Sequence, residues 1–94
     1  MIDRGRETIY KYPLQVTREQ KIKMPANANP LCVQMQNGVP TLWCVVDTYF
    51  AEVEFSVFCI GTGHEMPGIL AIYVGTVQLS DGTVWHYFIK RPLL

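Results

Sequence analysis

Apolar and polar residues alternate with a period of two along most of this chain, and nowhere do apolar residues recur at helical spacing over three turns. "ETIYKYPLQV" is rich in β-branched and aromatic residues and predicts a first strand, with Pro13 marking it as an edge or ending it. Gln20–Lys21–Ile22–Lys23–Met24 alternates strictly and predicts a half-exposed second strand. Pro25 to Pro30, "PANANP", predicts a loop, because its prolines and asparagines leave no apolar period. "LCVQMQNGVPTLWCVVD" (Leu31 to Asp47) predicts a hairpin on Asn37-Gly38, and Ala51 to Gly61 a further strand. Thr62 to Gly68 predicts a Gly/Pro loop. Leu70 to Leu79 and Thr83 to Lys90 predict the last two strands, joined at Ser80-Asp81-Gly82. About seven short strands on one chain too small for two cores predict an all-β fold. The expected architecture is a single antiparallel β-sandwich or partly open barrel over residues 1–94, with 1–6 as a loose extension.

The hairpin fixes which side chains share a face. A two-residue loop at Asn37-Gly38 opposes Gln36 with Val39, Gln34 with Thr41 and Cys32 with Trp43. Leu31, Val33, Met35, Pro40, Leu42, Cys44 and Val46 then form a core face. Cys32, Gln34, Gln36, Thr41, Trp43 and Val45 form the other. A three-residue loop with a bulge would shift the pairing and carry Trp43 inward, so the turn decides. An indole among Gln34, Gln36 and Thr41 joins a flat apolar surface to hydrogen-bonding groups, the mixture that contact sites use. Covering of that face by a second sheet or by the first strand is the structural alternative.

Composition narrows the function. An apolar fraction of 49% with 17% charged residues describes a globular chain. "MIDRGRETIY" lacks the apolar stretch of a secretory signal, and "GILAIYVG" is far shorter than a membrane span, so a cytoplasmic location is expected. Cys32, Cys44 and Cys59 show no paired spacing and read as small core or half-buried residues, while His64 and His86 sit in separate segments with no metal-ligand pattern. No cofactor is implied.

Formal charge is zero but segregated. Arg4, Arg6, Lys11, Arg18, Lys21 and Lys23 outweigh Asp3, Glu7 and Glu19 by three in residues 1–23. From Met24 to Ile89 there is no Lys or Arg at all, against five acidic side chains, and Lys90 and Arg91 follow. A lysine-free surface holding Trp43, Tyr49, Phe50, Phe58, Trp85 and Tyr87 either is core or is covered by another chain, so a homo-oligomer is expected. No basic stripe suits nucleic acid.

"GTGHEM" (Gly61 to Met66) lacks the lysine and helix of a phosphate loop and reads as a turn needing positive φ at its glycines. His64 beside Glu65 offers a base, but no nucleophile accompanies it. His86, within a strand, reads as a histidine satisfied across the sheet. His64 and Trp85 join Gln34, Gln36, Thr41 and Trp43 as candidate contact residues; no catalytic residue is expected.

"TIYKYPL", "VQMQNGVPTLW", "GTGH" and "YVGTVQ", followed by "DG" and "VWH", together resemble a family of small bacteriophage and prophage proteins, over roughly Thr8 to Phe88. The chain departs from it in the residues before Glu7 and at "NANPLCV". The resemblance implies a phage origin and action in the bacterial cytoplasm, not an activity. It leads to the expectation of a non-enzymatic accessory binding protein that inhibits a host defence system, by holding a host protein or sequestering a small nucleotide. The alternative is a virion or tail component that binds the host surface.

Overall fold

The computed structural model describes residues 7–93; the extension expected at residues 1–6 lies outside them. Seven strands follow in order: β1 (Glu7–Pro13), β2 (Glu19–Pro25), β3 (Asn29–Gln36), β4 (Val39–Asp47), β5 (Glu52–Gly61), β6 (Ile72–Gln78) and β7 (Val84–Lys90). They form a three-stranded sheet, β1-β4-β3, and a four-stranded sheet, β2-β5-β7-β6, with every pairing antiparallel. The fold is the expected all-β one, arranged as an open sandwich, and the described residues contain no helix.

Alternation builds the core. Val33, Leu42, Cys44 and Val46 point from the smaller sheet towards Met24, Phe55, Val57, Cys59, Tyr87 and Ile89 of the larger one. The Cys44 thiol lies 3.7 Å from the Met24 sulfur, joining β4 to β2 through the core. Tyr87 has no exposed surface, and its hydroxyl donates to the Gln15 carbonyl at 3.0 Å. That bond anchors the β1–β2 connection while satisfying a phenol that would otherwise be buried unpaired.

The hairpin register matches the expectation: Gln36 opposes Val39, Gln34 opposes Thr41 and Cys32 opposes Trp43. Asn37 (φ 51°) and Gly38 (φ 79°) both take the left-handed conformation that a two-residue turn of matching twist demands. Two members of the expected core face are nevertheless outside it. Leu31 is 50% exposed because the β3–β4 register shifts between Pro30 and Cys32, and this bulge turns it out. Met35, next to the turn on a strand that ends its sheet, is 36% exposed. The loop expected over Pro25 to Pro30 is shorter: Pro25 closes β2 and Asn29 opens β3. The loop after β5 is longer than expected, because β6 starts at Ile72 rather than Leu70.

The two sheets meet where β3 runs beside β6. A Cβ built on Gly75 would lie 2.6 Å from the Val33 carbonyl oxygen and 2.9 Å from its nitrogen. Backbone cannot retreat as a flexible side chain can, so this approach requires glycine. The β6–β7 register shift between Tyr73 and Gly75 places the residue there. Gly75→Ala should therefore lower the unfolding free energy by about 2 kcal/mol or more, the range for steric strain in a packed interior. Urea unfolding measures it, and a loss below about 0.5 kcal/mol would mean that the sheets separate freely.

Candidate functional site

The outward face of the three-stranded sheet carries Ile9, Lys11, Cys32, Gln34, Gln36, Val39, Trp43 and Val45, as alternation from the buried Leu42 and Cys44 dictates. Trp43 is half-buried, Ile9 is 56% exposed and Val39 is 40% exposed. Lys11 of β1 stands opposite Trp43, its ammonium 5.8 Å from the indole centre, and it donates to Gln36 Oε1 at 2.8 Å. The result is an apolar centre with an ammonium and two amides around it. The first strand thus flanks the indole without sealing it.

Thr41 does not belong to this surface, contrary to expectation. It is 3% exposed, and its hydroxyl is turned back to donate to the Val39 carbonyl at 3.0 Å. To reach Gln36 from β1, the Lys11 side chain must cross β4 between Trp43 and Val39, and Thr41 lies under that crossing.

His64 and Trp85 come together elsewhere, at the end of the four-stranded sheet. Their rings meet edge to face with centroids 5.7 Å apart. They line an open cleft of about 370 Å³ with Thr62, Thr83 and Val84. The indole N–H is already committed, donating to Thr83 Oγ1 at 2.8 Å, and Thr83 is held in turn by the Asp81 carboxylate. Those Thr83 bonds, from the hydroxyl and then the amide, hold the Asp81 carboxyl below its ordinary range. The glycine reading is half right. Gly63 has φ +89°, but Gly61 is a strand residue whose missing Cβ leaves room for the His64 ring, 2.8 Å from where that carbon would sit.

His86 is more fully satisfied than one cross-sheet bond. Its Nε2 pairs with Thr62 Oγ1 at 2.8 Å and its Nδ1 with Thr76 Oγ1 at 3.0 Å, and Thr76 pairs with the Tyr73 hydroxyl at 2.6 Å. Both ring nitrogens are therefore occupied by hydroxyl partners, each of which can donate or accept. Thr76 is directly opposite His86, so alternation places them together; Thr62, beyond the end of β5, carried no such signal. The Thr62 hydroxyl is also 3.5 Å from the Val84 carbonyl, so the network runs from the strand backbone through His86 to the Tyr73 hydroxyl.

The three thiols divide between core and surface. Cys44 and Cys59 are buried, whereas Cys32 is half-buried on the Trp43 face. Burial pushes the Cys44 thiol up to about 11, the Arg91 charge offsetting part of that rise. The folded state therefore holds the Cys44 proton more tightly than the unfolded chain, and this contribution to stability declines as pH rises from about 9 towards 11.

Two outcomes follow from this geometry. In native protein at pH 8, iodoacetamide should modify Cys32 while leaving Cys44 and Cys59 intact until urea is added; peptide mass spectrometry reads the sites, and early labelling of Cys44 would contradict its burial. Gly61→Ala should fold with little loss of stability, because the clash is with a side chain, but should displace His64. Loss of the nuclear Overhauser contacts between the His64 and Trp85 rings supports that, and their retention refutes it.

The chain has no match among the curated proteins or the solved structures. A family model does match it, described as a domain of unknown function (DUF7352) and covering residues 6–93. With nearly its whole length matched, the chain belongs to the DUF7352 family.

Proposed function

We propose that this protein is a non-enzymatic binding module, encoded by phage or prophage for the bacterial cytoplasm, whose outward three-stranded face holds a host protein. The carrying observation is the half-buried indole of Trp43, bordered by exposed Ile9 and half-buried Val45 and framed by Lys11, Gln34 and Gln36. Sheet faces turned to solvent ordinarily carry polar side chains at alternate positions. An apolar centre within a polar border is instead how protein contact surfaces are built, and tryptophan is prominent among residues that dominate their energetics. The sequence resemblance supplies the setting, and a component of a bacterial defence system is the host partner it suggests.

Around Trp43 the polar groups are the Gln34 and Gln36 amides, the Cys32 thiol and the Lys11 ammonium bonded to Gln36, while the Glu7 carboxylate stands at the far end of the face. A rigid sheet with a flat aromatic favours binding without rearrangement, which limits the entropic cost of association.

Trp43→Lys tests the reading, because it places a second ammonium beside Lys11 while changing only a half-exposed position. The variant should fold normally yet bind the isolated host partner at least about 30-fold more weakly, the scale of losing a dominant contact. Affinity capture from host lysate with both proteins identifies the partner, and titration of that purified partner gives the ratio. Equal capture by both forms removes this face from the function. If sedimentation instead shows a Trp43-dependent dimer of the protein alone, the face belongs to a second copy and the host-protein reading fails.

A further inference from the structure

On the opposite side of the sandwich, Lys21 of β2, Ser56 of β5 and Lys90 of β7 stand abreast across three neighbouring strands. Lys23 follows one step along the same face, opposite Glu54. These residues, with Glu52, Val53, Arg91, Pro92 and Leu93, enclose an open cleft of about 610 Å³. Four cations against two carboxylates line it, in a chain whose formal charge is zero. The sequence separates these cations into two groups at opposite ends of a long stretch without Lys or Arg; β5 brings the groups together by pairing with β2 on one edge and β7 on the other.

The hydrogen bonding leaves the cleft equipped for an anion. Lys21 Nζ donates to Ser56 Oγ at 2.7 Å, which uses the hydroxyl as an acceptor and leaves its own proton available to donate. Lys21 is also 3.5 Å from Glu19. Among the described residues, Lys23 and Lys90 have no hydrogen-bond or ion-pair partner. Arg91 differs from them. Its guanidinium donates to the Ala26 carbonyl at 3.2 Å and the Ala28 carbonyl at 2.6 Å, with its centre 5.4 Å from the Phe55 ring. It is a fixed charge in the wall, held by backbone and aromatic face. Two uncommitted ammoniums and a hydroxyl donor therefore line one concavity, with Arg91 fixed beside it and Val53, Pro92 and Leu93 adding apolar surface.

We propose that this cleft binds the phosphate monoester group of a small organic molecule, the dianion lying between Lys23, Lys90 and the Ser56 hydroxyl. With Glu19 beside Lys21 counted, four cations face three carboxylates, and the unpartnered Lys23 and Lys90 ammoniums supply charge-assisted donors, the strong class of hydrogen bond. Glu54, opposite Lys23 on the same face, and Glu52 disfavour a long polyanion, whose further phosphates would have to lie against them. The organic part rests on Pro92 and Leu93. This site stands apart from the Trp43 face and does not rest on its proposed role.

The test is a titration of the intact chain, followed by amide NMR at 0.15 M sodium chloride so that exposed charges beyond about 8 Å are screened. Inorganic phosphate and adenosine 5′-monophosphate are the probes. Shifts should be confined to residues around Lys21–Lys23, Glu54–Ser56 and Lys90–Leu93, and the nucleotide should bind more tightly than phosphate. Lys90→Gln and Ser56→Ala should each weaken the nucleotide about tenfold, whereas Lys11→Gln on the other face should not change it. Lys90→Gln removes the ammonium of a half-buried side chain while keeping part of its stem, and thermal unfolding of each variant confirms that its fold is retained. No localised shift at millimolar probe, affinity unchanged by Lys90→Gln, or a nucleotide no tighter than phosphate overturns the proposal.

Discussion

The close approach of the Gly75 backbone to Val33 is the constraint on which the sandwich depends. It sets the distance between β3 and β6, and so the angle at which the two sheets cover one another. With β3 and β6 in contact, Val33, Leu42 and Cys44 meet Phe55, Tyr87 and Ile89, and the core can close without water. The opposite side stays more open: β1 and β2 are unpaired on their outer edges, and every residue of β1 except Tyr12 is exposed. Proline at the end of β1 and lysines on both strands are the usual means of discouraging further pairing at such edges.

Much of this fold is legible in the sequence because its local signals agree. Asn37-Gly38 specifies a two-residue turn, the turn specifies the register, and the register sorts the hairpin side chains onto two faces. The departures have local physical causes. Leu31 turns outward at a bulge that no turn residue announces. Thr41 sits on the correct face but is buried there, its hydroxyl turned back to the Val39 carbonyl, while Lys11 of β1 reaches across β4 to Gln36. Alternation reports which face a residue occupies, not what reaches across it from another strand. The six candidate contact residues accordingly divide: Gln34, Gln36 and Trp43 share one surface, His64 and Trp85 share another, and Thr41 leaves the set.

Charge taught more by its placement than by its sum. Along the chain the basic residues stand at the two ends, which suggests a bare central surface. In space, part of that central stretch is core, and part of its outer surface, at β5, is flanked by the cations of β2 and β7. Only strand order reveals this. Antiparallel pairing of β5 with both strands is a long-range choice, and no pattern within any one segment encodes it. The Lys21–Ser56 bond is therefore invisible in the sequence although both residues are prominent in it.

The two outward surfaces differ in chemistry because they differ in what alternation leaves outside. On the smaller sheet, the outward positions near Trp43 hold apolar and amide groups with one thiol and the single ammonium of Lys11; on the larger, those at β2, β5 and β7 hold lysines, carboxylates and a hydroxyl. Between them lies one shared core, crossed directly where the Met24 sulfur meets the Cys44 thiol. Met24 follows Lys23 in β2, and Cys44 follows Trp43 in β4, so the two faces are separated by a single pair of side chains. A packed interior transmits displacement but resists it, since each shift must be matched by neighbours already in contact. Occupants on opposite sides would not collide, and any influence of one on the other would have to pass through that pair or through the strands that carry it.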